Sequence, residues 1–182
     1  MINKKELRAK QIEKLKQFSL TDQKIQEDRT LTYKFLNHPL TIRANKIGIT
    51  LSMPIEVNTK EIIDQLWKMG KEVYIPRVLP KRQMEFTLYT PETKLTKSKF
   101  GVYENWAENV KLMSNLDLLV VPGLAFSLNK KERLGFGGGY YDRYLAKHDL
   151  NTISLVNSIQ NFDKAIWPVK NYDINLKNLI VS

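Results

Sequence analysis

Apolar residues recur along the chain at two spacings, which predict helices in some segments and strands in others. Apolar positions three and four residues apart indicate helices at 2–18, 22–38 and 56–69. Shorter alternating or continuous apolar runs indicate strands, at residues 47–53, 73–77, 84–88, 117–121, 153–156 and 174–181. Strands that alternate with helices usually form a mostly parallel sheet with helices on both faces. We therefore expect an α/β fold, a three-layer αβα domain of Rossmann-like architecture.

Short polar and glycine signals set the expected ends of these helices. Thr21 is the expected N-cap of the second helix, because its hydroxyl can accept a hydrogen bond from the first helical turn. Pro39 closes that helix after His38. Gly70 is the expected C-cap of the third helix. The expected core contacts of the second helix are Ile25, Leu31, Phe35 and Leu36.

The pattern is most informative between residues 116 and 145. A continuous apolar run at 118–121 predicts a strand that is buried on both faces. After a polar, lysine-rich loop, four of the eight glycines in the chain fall within five residues, ending at Gly139. One helical face then follows, made by Tyr141, Tyr144, Leu145 and His148. The segment therefore predicts a strand, a loop, a glycine turn and a helix N-terminus at the sheet edge where such folds bind ligands.

Dense glycines before a helix have two interpretations. Without Cβ atoms the backbone can adopt positive φ and approach a ligand, and free N–H groups of the first helical turn attract an anion. With Arg133 nearby the turn can be a phosphate cradle, but it can equally be a turn that lets a strand and a helix pack closely. Neither familiar phosphate loop is present, because Tyr140 occupies the third glycine position of GxGxxG and no Gly-Lys-Ser or Gly-Lys-Thr occurs.

Composition narrows the function classes. The 182 residues are most simply one domain, 1–182, and the lack of cysteine excludes disulfides, a thiolate nucleophile and cysteine-ligated metals. No apolar run approaches the length of a membrane span and no signal-peptide pattern is present, so we expect a cytoplasmic protein. The net charge of +10 suggests nucleic acid as a partner. The lysines are scattered without interleaved aromatics, however, and an anionic small substrate explains the charge equally well.

Two stretches resemble a known family. VPGLAF at 121–126 and RLGFGGGYYDRYL at 133–145 look like the signature of the 5-formyltetrahydrofolate cyclo-ligases, also called 5,10-methenyltetrahydrofolate synthetases. The glycine–Tyr-Tyr-Asp core is long and unusual, and fainter agreement extends over nearly the whole chain. The resemblance implies closure of 5-formyltetrahydrofolate to 5,10-methenyltetrahydrofolate that depends on ATP and Mg²⁺. ADP and phosphate would be released through a phosphorylated formyl (iminium phosphate) intermediate.

The resemblance also implies roles for individual residues. It assigns ATP binding to residues of the first helix and the glycine segment, namely Lys4, Arg8, Arg133, Leu134, Gly135, Phe136, Gly137, Gly138, Gly139, Tyr140 and Tyr141. It assigns folate binding to Leu51, Glu56, Phe136, Gly137, Gly138, Gly139 and Tyr140. Arg133 and Tyr140 are the implied catalytic residues, and Asp142 and Asp173 are the implied magnesium ligands.

Some of these residues could have a structural role instead of a functional one. Leu51 alone would be a core leucine, and Asp173 a turn aspartate before a strand. The Glu56 carboxylate is a stronger candidate, because it can accept paired N–H donors from a pterin ring. Arg77, at the end of a predicted strand, is a further possible anion contact.

The chain departs from the family pattern at several positions. Ser127 stands where the family commonly has aspartate, and the loop that follows it is about one residue longer than usual. Asn105 replaces a proline after the family element at 100–104, and Tyr172 replaces a frequent histidine. These changes put the geometry of the 127–133 loop in question, but they leave the glycine core intact.

The expected partners are therefore ATP and 5-formyltetrahydrofolate, with or without a polyglutamate tail. Nucleic acid and membranes are not expected, and the chain should be a monomer or a weak homodimer.

Two alternative functions remain open from the sequence. A nucleic-acid-binding module would lose affinity steeply with salt, and a different nucleotide-dependent kinase with the same cradle would leave a phosphorylated final product.

Overall fold

The computed structural model of the chain describes residues 2–98, 101–113 and 115–182. Its α-helices are α1 (Lys4–Phe18), α2 (Asp22–Leu36), α3 (Pro39–Arg43), α4 (Thr59–Lys68) and α5 (Tyr140–Leu145), and a short 3-10 helix spans Pro80–Arg82. Its strands are β1 (Lys46–Gly48), β2 (Glu72–Leu79), β3 (Gln83–Tyr89), β4 (Thr96–Lys97), β5 (Tyr103–Glu104), β6 (Leu112–Met113), β7 (Leu118–Val120), β8 (Ala125–Ser127), β9 (Arg133–Leu134), β10 (Asn151–Val156), β11 (Asn161–Phe162) and β12 (Asn178–Val181). No helix in the described ranges is long and apolar enough to cross a membrane.

A seven-stranded sheet forms the centre of the fold, in the order β12-β10-β7-β1-β2-β3-β6. The neighbouring pairs from β12 to β2 are parallel, whereas the β2–β3 and β3–β6 pairs are antiparallel. In the middle of the sheet Ile47 of β1 lies opposite Val73 of β2 and Leu118 of β7. The predicted α/β fold with a mostly parallel sheet is confirmed.

Alternate residues of each strand pack into two different cores. Leu118 and Val120 of β7 join α2 and α4 in one cluster, whereas Leu119 and Val121 lie in the other. This division follows from the strand, whose successive side chains point to opposite faces of the sheet. The second face is covered by α5, where Tyr144 packs edge-on against Phe86 of β3 with ring centroids 5.1 Å apart.

Helix α1 packs on a second, three-stranded sheet, β11-β8-β9, that the apolar pattern does not predict. Strands of two or three residues are too short to show a periodicity. Gln11 of α1 is 1% exposed and donates its amide to two backbone carbonyls, those of Leu124 and Ile159, both at 3.0 Å. This contact fixes the helix that carries two of the predicted site residues.

Two predicted elements differ in the structure. The strand expected at 47–53 ends at Gly48, because Ser52 and Thr59 instead bond each other's backbone N–H groups and organise the start of α4. In α2 the buried face includes Lys24, whose ammonium pairs with Asp28, and Ile25 is 52% exposed. The prediction of Ile25 as a core contact was therefore wrong.

Helix ends also differ from the predictions. Thr21 is the N-cap of α2 as expected, but the helix ends at Leu36 and a short helix, α3, begins at Pro39. His38 caps α3, because its Nδ1 accepts a hydrogen bond from the Leu40 N–H at 3.2 Å. Helix α5 ends before His148, whose ring nevertheless stacks on Tyr144.

Replacing Gln11 with methionine should lower the free energy of unfolding by about 1–3 kcal/mol, because the buried Leu124 carbonyl loses its donor while the side-chain volume is kept. Chemical denaturation measures the change. Lys10→Ala is the control, since Lys10 is exposed and pairs with Glu6 on the same helix, so a change within about 0.5 kcal/mol is expected. Equal losses in both variants would contradict an anchoring role for Gln11.

Candidate functional site

A cavity of about 910 Å³ opens beside the carboxyl ends of the central strands. Thr50 and Leu51, which follow β1, and Pro122, which follows β7, form part of its lining. This is the edge where parallel sheets place their ligand sites. Every residue to which the resemblance assigns a role lines this cavity: Lys4, Arg8, Leu51, Glu56, Arg133, Leu134, Gly135, Phe136, Gly137, Gly138, Gly139, Tyr140, Tyr141, Asp142 and Asp173.

The N-terminal turns of α1 form one wall of the cavity. Asn3 caps the helix by accepting a hydrogen bond from the Glu6 N–H at 2.8 Å. One turn apart on the same face, Lys4 pairs with Asp173 at 2.5 Å, and Arg8 donates its Nε to the Gly135 carbonyl at 2.8 Å. The helix therefore brings two cations against segments that lie more than a hundred residues later in the chain.

The glycine segment needs glycine for two different reasons. Gly137 (φ +106°) and Gly139 (φ +70°) adopt left-handed backbone conformations, which residues with a Cβ rarely adopt. At Gly135 the reason is space, since an added Cβ would lie 2.6 Å from Nη1 of Arg133. The expected turn and helix N-terminus are present, and both the phosphate-cradle and the packing interpretations are compatible with this backbone.

Arg133 is a deeply buried charge in the cavity wall, with its side chain 4% exposed. Its guanidinium donates to the Pro122 carbonyl at 3.0 Å and to Asp142 Oδ2 at 3.1 Å, and it lies 5.5 Å from the centre of the Tyr141 ring. Its Nε is buried and has no hydrogen-bond partner among the described residues. The guanidinium therefore holds Asp142 and the strand end in place while it lines the cavity.

The two predicted metal ligands lie on neighbouring parts of the wall. Asp142 Oδ1 accepts a hydrogen bond from the Ile174 N–H at 3.1 Å, directly beside Asp173 in the chain. Asp173 Oδ2 accepts from the Lys170 N–H at 2.7 Å as well as from Lys4. Carboxylate oxygens are the ligands that Mg²⁺ prefers, and one or two suffice when phosphates supply others. Within the described ranges no group of three or more His, Cys, Asp or Glu side chains could hold a metal ion.

Glu56 and Tyr141 both line the cavity and lie close enough for the Glu56 charge to act on the tyrosine. Burial raises the pKa of Glu56 from 4.5 to about 6, although the carboxylate accepts a hydrogen bond from the Met53 N–H at 2.7 Å, which acts in the opposite direction. Burial first, and then the nearby Glu56 charge, raise the pKa of Tyr141 far above its usual value. The Tyr141 hydroxyl is buried and has no hydrogen-bond partner in the described part of the chain.

The sequence did not identify the wall built by β2 and β3. Pro76, Val78 and Met84 line the cavity with Arg82, whereas Arg77 does not. Arg77 points to the other face, as alternation along a strand requires. It is bound there to Glu85 at 2.6 Å, so this predicted anion contact is not at the cavity. The remaining lining residues that were missed are Thr50, Met53, Ser98, Val102, Glu104, Pro122, Arg143, Ala146 and Tyr172.

The departures from the family pattern have local structural explanations. Ser127 accepts a hydrogen bond from the Glu132 N–H at 3.0 Å and donates to its carboxylate at 2.8 Å, which closes the longer loop. Asn105 donates its side-chain amide to the Leu88 carbonyl at 3.0 Å, thereby fixing the turn in which the family has proline. Of the element at 100–104, Phe100 lies outside the described residues.

Comparisons with known proteins agree on one family. The model of the 5-formyltetrahydrofolate cyclo-ligase family matches residues 1–182. The chain is 32% identical to the 5-formyltetrahydrofolate cyclo-ligase of Haemophilus influenzae, over 84% of this chain and 86% of that protein. It is 30% identical to the enzyme of the same name from Escherichia coli K12, over 81% and 83% of the two chains.

Solved structures show the same fold. The NMR structure of the 5,10-methenyltetrahydrofolate synthetase of Aquifex aeolicus superimposes with a TM-score of 0.82 at 25% identity, covering 98% of this chain and 89% of that one. The 5,10-methenyltetrahydrofolate synthetase of Mycoplasma pneumoniae gives a TM-score of 0.74 at 20% identity and covers 98% of both chains. The latter likeness supports the fold alone.

Asp142→Ala should lower the free energy of unfolding by about 3 kcal/mol, because it leaves the buried Arg133 charge without its carboxylate. The double variant Arg133→Met/Asp142→Ala should recover part of this loss, since no lone buried charge remains. Asp149→Ala is the control: Asp149 is 93% exposed in its pair with Lys177, and a change within about 1 kcal/mol is expected. Denaturant unfolding that shows a mild Asp142→Ala effect would refute the structural importance of this ion pair.

Glu56 should make stability fall with rising pH. Its folded pKa of about 6 exceeds the ordinary 4.5, so its contribution to folding is complete below pH 4.5 and is lost as the pH rises through about 6. Between these limits the unfolding free energy of the wild type should fall relative to Glu56→Gln by about 1–2 kcal/mol. A constant difference across this window would count against the raised pKa. Glu72 is the control of opposite sign, because its hydrogen bond with Lys111 lowers its pKa. The unfolding free energy of the wild type should therefore rise with pH relative to that of Glu72→Gln.

Proposed function

The chain belongs to the 5-formyltetrahydrofolate cyclo-ligase family, and from this premise we propose that it closes 5-formyltetrahydrofolate to 5,10-methenyltetrahydrofolate with ATP as co-substrate. One observation supports the proposal most directly. A single cavity brings the glycine segment together with the cations Lys4, Arg8 and Arg133 and the carboxylates Asp142 and Asp173, from segments far apart in the chain. Phosphoryl transfer needs such an arrangement, because it depends on positioning and charge neutralisation more than on covalent protein chemistry.

The reaction needs ATP because a formyl oxygen is a poor leaving group. In the first step the formyl oxygen attacks the γ-phosphorus and the bond between that phosphorus and ADP breaks. The product is a phosphate ester of an iminium. In the second step N10 attacks the formyl carbon and loses its proton, the carbon–oxygen bond breaks, and phosphate leaves. The methenyl bridge then joins N5 and N10.

The cations and the glycine segment would hold the triphosphate. Arg8 uses only its Nε in a hydrogen bond with Gly135, and in the described ranges no hydrogen bond engages its two terminal nitrogens. Gly139 ends the segment immediately before α5, where free N–H groups of the first turn favour an anion. The Lys4 ammonium can move from Asp173 to a phosphate oxygen without leaving the cavity wall.

Mg²⁺ fits the carboxylates of this wall. Asp142 and Asp173 would hold it, with the remaining positions taken by phosphate oxygens and water. When bound, the ion supplies positive charge that neutralises the phosphates during transfer. Asp142 keeps its bond to Arg133 on one oxygen, so Asp173 is the carboxylate that can turn toward a ligand more freely.

Other side chains of the same cavity suit the folate. Glu56, once ionised, can accept paired N–H donors from the pterin, and its raised pKa reflects the partly buried setting that such a bond would relieve. Phe136 is 39% exposed at the cavity surface, and together with Tyr140 it offers aromatic surface for stacking on the pterin. Leu51 adds an apolar contact after β1.

The assay that tests this proposal mixes the protein, 5-formyltetrahydrofolate and MgATP, and follows methenyl absorbance together with ADP. Product should appear only when ATP and Mg²⁺ are both present, with one ADP per methenyl group. Turnover in EDTA would contradict the role of Mg²⁺. A stable phosphorylated product would favour the alternative kinase.

Asp173→Asn should lower kcat/KM by about 100-fold at limiting Mg²⁺, equivalent to roughly 2.7 kcal/mol, because a charged ligand is lost. Raising the Mg²⁺ concentration should restore part of the rate by mass action. Asp163→Asn is the control, since Asp163 is exposed and lies outside the cavity lining. A loss of rate that Mg²⁺ does not change would rule out the magnesium role of Asp173.

A further inference from the structure

The β2–β3 hairpin ends in a basic turn at the cavity. Val78 of β2 lies opposite Met84 of β3, and Leu79 opposite Gln83, so the turn lies one step beyond the last pair. Val78 and Met84 line the cavity, and so does Arg82 in the turn. The hairpin therefore forms a wall that is apolar along its length and cationic at its tip.

The backbone of this turn is strained. Lys81 (φ +58°) and Arg82 (φ +57°) are two consecutive residues in the left-handed region. The turn consists of three residues, Pro80 to Arg82, and left-handed positions in such turns are usually occupied by glycine or asparagine, because a Cβ disfavours the conformation. Backbone strain that persists beside a cavity points to a function for the side chain it displays.

Arg82 also differs from the other cations of the cavity. Lys4 and Arg133 are paired with carboxylates, and Arg8 donates to a backbone carbonyl, as Arg143 does. Within residues 2–98, 101–113 and 115–182, the hydrogen bonds and ion pairs of the structure do not include the Arg82 side chain. A ligand anion can therefore bind Arg82 without displacing a protein partner.

The position of Arg82 indicates which anion it would meet. A folate consists of a pterin, an aminobenzoyl ring and a glutamate joined in line. With the pterin at Glu56, the strip of Pro76, Val78 and Met84 offers an apolar surface for the ring. A strand advances about 3.3 Å per residue, so the turn lies about 7 Å beyond the Val78–Met84 pair, within reach of a glutamate joined to a ring on this strip.

We propose that Arg82 is a specificity-determining residue that binds a glutamate carboxylate of the folate substrate. The inference rests on the proposed function, because it takes the folate as the ligand of this cavity. The triphosphate has its own cations at α1 and the glycine segment, which leaves the carboxylate as the anion for the hairpin tip.

The test compares two substrates that differ only in this group, 5-formyltetrahydrofolate and 5-formyltetrahydropteroate, which lacks the glutamate. Arg82→Ala should raise KM for the first substrate by about 10-fold or more, with kcat and the KM for ATP changing less than about twofold. KM for the pteroate compound should be unchanged. Lys81→Ala is the matched control, because Lys81 occupies the same turn and backbone conformation but does not line the cavity.

Several outcomes would overturn the inference. These are an unchanged KM in Arg82→Ala, an equal rise for both substrates, or a rise in the KM for ATP instead. Calorimetric titration of both compounds without ATP separates this inference from the proposed reaction. A difference in affinity that Arg82→Ala abolishes supports the carboxylate contact even where no turnover is seen, and equal affinities in the wild type would refute it.

The strained backbone gives a second, independent readout. Arg82→Gly should raise Tm by about 2–4 °C, because glycine adopts the left-handed conformation readily, while it raises KM as Arg82→Ala does. Opposite changes in stability and affinity are expected only if the arginine is kept in the strained position for binding. A rise in Tm with an unchanged KM would overturn the inference.

Discussion

The buried Arg133 guanidinium must be matched by a nearby carboxylate, and Asp142 supplies it where several segments of the chain meet. Arg133 extends from β9, Asp142 belongs to α5, and the same two side chains bind the Pro122 carbonyl and the Ile174 N–H. An unpaired charge at this depth would be strongly destabilising. The fold therefore depends on this contact, and the cavity wall depends on it as well.

The ion pair also closes the glycine segment into a loop with fixed ends. Residues 134–141 connect its two partners, and the left-handed conformations at Gly137 and Gly139 lie between them. Arg8 of α1 binds the Gly135 carbonyl from the other side. A segment rich in glycine would otherwise be the most adaptable part of the chain. Here both ends and one carbonyl are held, so its backbone can be preorganised for a ligand.

Patterns within a single element could be predicted from the sequence, and contacts between distant elements could not. The continuous run at 118–121 and the glycine turn before Tyr140 gave the correct order of strand, turn and helix. The exposure of Ile25 could not be anticipated, because the buried face of α2 uses Lys24, whose ammonium is neutralised by Asp28. That pairing is visible only once the helix has packed.

The residues of the site likewise include some that the sequence predicted and some that it did not. The resemblance to the family supplied residues from Lys4 to Asp173, and the structure places them around one cavity, although their individual roles stay predictions. The β2–β3 wall carried no sequence signal, because Val78 and Met84 alternate like residues of any half-buried strand. Arg82 was hidden for another reason: its importance depends on a left-handed backbone that the letters Lys-Arg do not suggest.

Charge balance explains how such a site can remain folded without its ligands. Lys4 neutralises Asp173 and Arg133 neutralises Asp142, so the two carboxylates and two of the cations compensate one another. In the proposed reaction, Asp173 would help to hold the metal of MgATP and Lys4 would bind a phosphate, so each side chain would meet an opposite charge in place of the other. Neither group is left alone in a partly buried wall, where an unmatched charge is costly. In the proposed complex the folate carboxylate would bring no cation of its own, so Arg82, which has no protein partner among the described residues, would supply the matching charge at the tip of the hairpin.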